Sequence, residues 1–103
     1  MDSDKIYIKI YKVDNEVLVA ACDEEILGME FSEGDLKLKV SENFYKGKLI
    51  NLDELEMFLR EATIANLTGN KVVEKAIELG FVNKESVLTI SGIKHAQIVE
   101  VFY

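Results

Sequence analysis

The segment from Leu52 to Gln97 constrains the fold of this chain more than any other. Two helix patterns are joined in it by the short link Thr68-Gly69-Asn70, and Gly80 follows the second pattern as a stop signal. Two short helices with so tight a link must cross at an angle and bury their facing sides against a common sheet. The segment therefore predicts a two-helix layer packed on strands, and it contains no motif that identifies a reaction.

The first helix is predicted at about 52–67 and the second at about 71–79. Asn51 and Glu54 have the spacing of a capping box, which marks the start of the first helix. An apolar stripe with helical spacing follows, made of Leu55, Phe58, Leu59, Ala62, and Ala65 or Asn66. The second helix has its own stripe, made of Val72, Val73, Ala76, Ile77 and Leu79.

The rest of the chain has the period of strands. Residues 5–13 and residues 36–40 alternate between apolar and polar side chains. Residues 17–22 are apolar on both faces, as in the interior of a sheet, and residues 87–90 and 97–103 are the candidate C-terminal strands. We therefore predict an α+β fold with a single domain over residues 1–103, in which two helices pack on one face of an antiparallel sheet.

Length and charge narrow the classes of partner. The 103 residues carry a formal net charge of −7, which argues against a protein that coats nucleic acid by bulk attraction. No stretch approaches the roughly 20 apolar residues of a membrane span. Because Met1-Asp2-Ser3-Asp4 lacks the layout of a secretory signal, we expect a cytoplasmic location and no membrane partner.

The residues that could hold a metal or form a covalent intermediate are scarce. The chain has a single histidine, His95, and a single cysteine, Cys22, which is expected in the core. These two cannot supply the four ligands of a structural zinc site, and the glycine motifs of nucleotide-binding proteins and hydrolases are missing. We therefore expect no metal and no cofactor, and the sequence leaves open whether the chain is an enzyme.

The first candidate site is a polar edge made of Thr63, Asn66, His95 and Gln97. His95 and Gln97 are two apart, so in an extended segment they point to the same face. Asn66 falls on or beside the core-facing stripe of the predicted first helix, where its amide needs a partner. That partner is either the backbone of the link at 68–70, or a bound ligand or the side chain of His95 or Gln97.

The second candidate site is a lysine-and-tyrosine face. If residues 5–13 and 36–40 form neighbouring strands, six side chains share the outer face of the sheet: Lys5, Tyr7, Lys9, Tyr11, Lys37 and Lys39. Basic side chains interleaved with aromatic rings are typical of surfaces that stack bases and hold phosphates. The alternative is an ordinary solvated face whose lysines discourage edge pairing.

Four strings of the sequence resemble the archaeal protein family DUF424. They are Glu61-Ala62-Thr63-Ile64-Ala65-Asn66-Leu67-Thr68-Gly69, Ala76-Ile77-Glu78-Leu79-Gly80, His95-Ala96-Gln97-Ile98-Val99 and Val17-Leu18-Val19-Ala20-Ala21-Cys22-Asp23. The resemblance covers nearly the whole chain, so residues 1–103 are expected to form one DUF424-like domain. It implies an archaeal cytoplasmic α+β protein, and it carries over no catalytic residues because the family is uncharacterised.

Three functional hypotheses follow. The first is a non-enzymatic binding module in an informational process, with RNA or a ribonucleoprotein as partner. The second is a small enzyme or ligand-binding protein with its site around Asn66, His95 and Gln97. The third is a homodimeric structural or interaction protein, which the apolar residues 17–22 and the terminal Phe102-Tyr103 favour.

Overall fold

The structure is a computed structural model that describes residues 4–99. It contains eight strands: β1 (Lys5–Val13), β2 (Glu16–Asp23), β3 (Glu30–Glu33), β4 (Leu36–Lys39), β5 (Lys48–Asn51), β6 (Ile64–Thr68), β7 (Leu88–Ile90) and β8 (Ile93–Val99). The end of the predicted strand at 97–103, and with it Phe102-Tyr103, lies outside the described residues.

Three α-helices accompany the strands: α1 (Glu42–Tyr45), α2 (Leu55–Glu61) and α3 (Asn70–Glu78). Short 3-10 turns lie at Glu24–Ile26, Leu52–Glu54 and Lys84–Ser86. The predicted capping box is present, and the Asn51 N–H donates to Oε2 of Glu54 at 2.9 Å. None of the helices in the described part of the chain has the length and apolar character needed to cross a membrane.

Six strands form one sheet in the order β5-β1-β2-β6-β8-β7, and β3 and β4 form a separate hairpin. Every neighbouring pair in the large sheet is antiparallel except β2 and β6, which are parallel. A parallel pair needs a crossover, and the chain between β2 and β6 supplies it. The predicted α+β class with a mostly antiparallel sheet is confirmed.

The predicted first helix at about 52–67 is wrong in its last third, and its first turn, Leu52–Glu54, is a 3-10 turn that leads into the α-helix at Leu55. The helix ends at Glu61, and the residues from Ile64 to Thr68 form the central strand β6. The hydroxyl of Thr63 clamps the start of this strand, because it accepts from the Val17 N–H at 2.8 Å and donates to the Val17 carbonyl at 3.1 Å. Residues 64–68 continue the helical pattern but also alternate like a strand. The backbone partners that the sheet offers them therefore outweigh their helix propensity.

The second helix begins one residue earlier than predicted and ends one residue earlier. Gly69 is its N-cap. The Asn70 side chain connects the helix start to the turn before β8: its Nδ2 donates to the Gly92 carbonyl at 3.1 Å and its Oδ1 accepts from the Lys94 N–H at 2.9 Å.

The large sheet has a core on each face. On one face α2 and α3 pack against the strands, with Leu55, Leu59, Val72 and Val73 buried among the odd-numbered residues of β2 and β6. On the other face the segment at 24–47 covers part of the sheet and buries Ile26, Val40 and Tyr45 against Ala20 and Cys22. The predicted core position of Cys22 is confirmed.

The carboxylate of Asp23 joins the end of β2 to the start of α3. It accepts from the Lys71 N–H at 3.0 Å and from the Val72 N–H at 2.9 Å, and so satisfies two donors that a helix start leaves unpaired. Burial raises the pKa of Asp23, and these two backbone N–H groups oppose that rise. Gly69 has φ +115°, and a Cβ on it would collide with the carboxyl carbon of Asp23.

Replacing Gly69 by Ala should lower the free energy of unfolding by about 3–5 kcal/mol, because the backbone conformation is strained for alanine and the methyl group collides with Asp23. The matched control is Gly80→Ala. Gly80 also has a positive φ, of +86°, but nothing lies within 4 Å of its added Cβ, so the loss there should be about 1–2 kcal/mol. Urea unfolding of both variants measures the difference, and equal losses would contradict the close approach of Asp23.

Candidate functional site

The register of β6 and β8 brings the polar residues of the first candidate site together. Asn66 lies opposite Gln97, and Thr68 lies opposite His95. Because side chains alternate along a strand, all four project from the sheet face that the helices do not cover. The proximity of Asn66, His95 and Gln97 that the sequence suggested therefore arises from strand pairing rather than from a helix edge.

The Asn66 amide is satisfied by Gln97. Nε2 of Gln97 donates to Oδ1 of Asn66 at 3.0 Å, so the partner is a side chain across the strand pair and not the backbone of the link. Gln97 is exposed and Asn66 is half-buried. The pair forms a short polar row beside His95 on the open part of the face.

A chain of three hydrogen-bonded side chains leads from the core to His95. The hydroxyls of Tyr45 and Thr68 are 2.9 Å apart, and the Thr68 hydroxyl is 2.8 Å from Nδ1 of His95. Thr68 has no exposed surface and Tyr45 is 4% exposed, whereas His95 is half-buried. Burial raises the pKa of Tyr45, which keeps the phenol protonated and able to donate.

The direction of these hydrogen bonds follows from their protons. If the Tyr45 phenol donates to Thr68 and Thr68 donates to Nδ1 of His95, no hydroxyl proton lacks an acceptor. In the reverse order the phenol proton would have no acceptor among the described residues. The chain therefore favours the neutral imidazole with its proton on Nε2, and Nε2 has no hydrogen-bond partner within residues 4–99.

His95 lines an open cleft between the β3–β4 hairpin and the β7–β8 edge of the sheet. The cleft has a volume of about 460 Å³. Its lining combines apolar and polar residues: Lys37, Leu38, Ser86, Leu88, Ile90, His95, Ala96 and Gln97. Ser91 holds the two walls together, because its N–H donates to Oε1 of Glu33 at 2.7 Å and its hydroxyl donates to the Ser32 carbonyl at 2.6 Å.

Burial lowers the pKa of His95 below its ordinary value of 6.5. The direction agrees with the hydrogen-bond chain, since a charged imidazole would have to donate from Nδ1 and would reverse the order of the hydroxyls. At neutral pH the group that His95 presents to the cleft is therefore a neutral N–H donor.

Other residues singled out in the sequence lie elsewhere. The Thr63 hydroxyl is used in the clamp to Val17, at the far end of β6 from Thr68. Cys22 lies beside Thr68 in the sheet, but burial, with added repulsion from Asp23 and Glu25, raises the pKa of its thiol to about 12. No cluster of three or more metal-binding side chains occurs among the residues that the structure describes.

The lysine-and-tyrosine set does not form one face. The assumption that residues 5–13 and 36–40 are neighbouring strands is wrong, because β1 pairs with β2 and β5 while β4 pairs with β3 alone. Lys37 and Lys39 therefore lie on the separate hairpin, and only the former reaches the His95 cleft.

The members of the set on β1 are engaged within the fold. Lys5 donates to Oδ1 of Asn51 at 2.6 Å, and Lys9 donates to the Asn43 carbonyl at 2.8 Å. Tyr7 and Tyr11 pack against the second core, and the ring of Tyr11 stacks on Phe44 with 5.6 Å between the ring centroids. RNA binding stays a prediction of the sequence, and these tyrosine rings are not arranged as a stacking platform.

The sequence reasoning missed Tyr45 and Thr68 as site residues. Thr68 was assigned to the link after a helix, although Ile64, Asn66 and Thr68 alternate with Ala65 and Leu67 in the period of a strand. That alternation was the available signal. Tyr45 carried no signal at all, because its contact with Thr68 joins residues 23 apart through the tertiary fold.

The fold and the cleft define a small α+β domain with one histidine-lined polar cleft at a sheet edge. Residues 11–101 match a family described as a protein of unknown function (DUF424), and the chain belongs to this family. The resemblance noted in the sequence is thereby confirmed.

One solved structure shares the fold. It is described as an uncharacterized conserved protein from Methanopyrus kandleri, an archaeon, and it is 24% identical in sequence, with a TM-score of 0.79 and 96% of each chain covered. At that identity the likeness shows the fold alone. No curated protein matches this chain.

The pKa of His95 should make stability depend on pH in a defined direction. Because the folded pKa lies below the unfolded value of 6.5, the contribution of neutral His95 is complete above that pH and is lost as the pH falls through the folded pKa. The loss for one proton is at most about 1.4 kcal/mol per pH unit.

Urea unfolding of the wild type and of His95→Gln between about pH 7.5 and about pH 5.5 measures this contribution. The wild type should lose stability faster than His95→Gln as the pH falls. Parallel pH profiles would contradict a lowered pKa of His95 in the folded protein.

Replacing Tyr45 by Phe should raise the pKa of His95 relative to the wild type. The phenol polarises the Thr68 hydroxyl that donates to Nδ1, so its removal weakens the hydrogen bond that stabilises the neutral imidazole. NMR titration of the His95 ring measures the pKa. Tyr11→Phe is the control, because it removes a hydroxyl that bonds the Phe44 carbonyl in the same core and does not contact His95. An unchanged or lowered pKa in Tyr45→Phe would show that the phenol does not set the direction of the chain.

Proposed function

We propose that this protein is a non-enzymatic binding module for a small organic ligand, with its site in the His95 cleft. The observation that carries the proposal is the Tyr45–Thr68–His95 chain, in which two buried hydroxyls favour one tautomer of a histidine that lines an open cleft. The chain therefore serves to hold a donor in place for a partner in the cleft.

The dimensions and lining of the cleft suit such a ligand. Its volume of about 460 Å³ lies within the range of ordinary small-molecule sites. Leu88 is 44% exposed at its rim, while Leu38 and Ile90 are largely buried beneath. Apolar walls with a few placed polar groups are the usual composition of a ligand site.

The surroundings of His95 favour binding over proton transfer. A histidine that acts as a general base is commonly oriented by a carboxylate, which stabilises the imidazolium. Here Nδ1 contacts a neutral hydroxyl, and burial lowers the pKa of the ring. The nearby thiol of Cys22 stays protonated at neutral pH, so it offers no nucleophile.

The experiment is a titration of the labelled protein with isocaproate, isocaproamide and isohexylamine, three compounds of similar size and different charge, followed by amide NMR signals. At least one should shift the signals of β7 and of His95 to Gln97 while leaving those of α2 unchanged.

Leu88→Ser should then weaken binding of that compound roughly fivefold to tenfold, because the variant loses the apolar rim. Leu49→Ser is the matched control, since Leu49 is 45% exposed on the opposite edge strand and does not line the cleft. Equal effects of the two substitutions, or shifts confined to regions outside the cleft, would overturn the proposal.

A further inference from the structure

Resting on the proposed function, we infer the chemical class of the ligand: a monocarboxylate on a short branched aliphatic body. The carboxylate is recognised by the ammonium group of Lys37 and by the Nε2–H of His95, and the aliphatic part lies on Leu38, Leu88 and Ile90.

The ammonium group of Lys37 and the ring N–H of His95 are the two donors of the cleft that we assign to an oxyanion. The ammonium group of Lys37 forms no ion pair within residues 4–99, unlike Lys71, Lys75 and Lys94 on the helix side of the sheet. Nε2 of His95 carries the imidazole proton in the tautomer that Thr68 favours. A carboxylate has two acceptor oxygens, so one ammonium and one N–H satisfy it in a complementary way.

The charge of the site is smaller than its number of hydrogen-bond donors. Nε2 of Gln97 gives one of its two N–H groups to Oδ1 of Asn66 at 3.0 Å, and the Ser86 hydroxyl also lines the cleft. Lys37 is the one cationic side chain in the lining, and its charge matches the single charge of a carboxylate. A phosphate monoester at neutral pH carries up to two charges, of which this lysine would compensate one.

The apolar walls determine the rest of the ligand. Leu38 and Ile90 are 8% and 3% exposed, so they form a floor, and the exposed Leu88 extends it toward solvent. An aliphatic body covers this rim and removes apolar surface from water at about 25 cal/mol per Å². The volume of about 460 Å³ admits a branched chain of a few carbons together with its carboxylate.

Lys37 and Lys39 provide a matched pair for the test. Both are exposed lysines of β4, two residues apart on one face of the hairpin, but only Lys37 lines the cleft. Lys37→Met should weaken binding of isocaproate roughly threefold to fivefold, whereas Lys39→Met should leave it unchanged within about 1.5-fold. Circular dichroism and thermal melting of both variants show that the hairpin stays folded.

The three isosteric probes separate charge from shape. Isocaproate should bind at least about tenfold tighter than isocaproamide, and isohexylamine should bind more weakly than the amide. Lys37→Met should lower the affinity for the acid and leave the affinity for the amide unchanged. The affinity for the acid should also fall as salt is raised, because Lys37 is exposed.

A carboxylate on a branched aliphatic body occurs in free carboxylic acids and at the C-terminus of a peptide that ends in leucine. Acetylated glycyl-leucine added beside isocaproate distinguishes the two sources, since tighter binding of one assigns the source and either supports the class.

The outcomes also distinguish this inference from the proposed function. If the amide or the amine binds in the cleft as tightly as the acid, or if Lys37→Met and Lys39→Met behave alike, the carboxylate is wrong and the binding module stands. If none of the three compounds shifts the signals of the cleft, both proposals fail.

Discussion

The parallel pairing of β2 with β6 is the constraint on which the rest of the structure depends. It is held at one end by the clamp between Thr63 and Val17 and at the other by the Asp23 carboxylate on the first N–H groups of α3. Because β6 is inserted beside β2, β8 can pair on its other side, and α3 starts directly over the sheet. The core and the cleft both follow from this one insertion.

Thr68 links the second core, which contains Tyr45, to the cleft that His95 lines. Its hydroxyl is fully buried and joins Tyr45, which belongs to the cover of the second core, to His95, which lines the open cleft. Burial raises the pKa of Tyr45 and lowers that of His95, so both groups are neutral at pH 7. A neutral chain of donors keeps one direction, so Nε2 of His95 carries the imidazole proton.

Local signals predicted local structure well. The capping box at Asn51 and Glu54 is present, and the second helix is displaced by one residue at each end. The alternating strand at residues 5–13 occurs where its period indicates, whereas the last described strand begins at Ile93, four residues before the predicted start at 97. The error at residues 64–68 has a physical cause. The spacing of Leu55, Phe58, Leu59, Ala62 and Ala65 is compatible with a continued helix. Residues 64–68 form a strand because they pair with β2 in the sheet. Propensity is a weak prior where a sheet offers a full set of backbone partners.

By itself the sequence determined the α+β class, the starts of both main helices and the pairing of His95 with Gln97 on one face, because each depends on residues close together in the chain. Only the tertiary structure decided that Asn66 and Thr68 lie opposite Gln97 and His95 in the sheet. It also decided that Tyr45 connects to His95 through Thr68, and that Lys37 rather than the tyrosines of β1 lines the cleft. Those contacts join residues far apart in sequence, and they exist only after the parallel pair has closed the crossover.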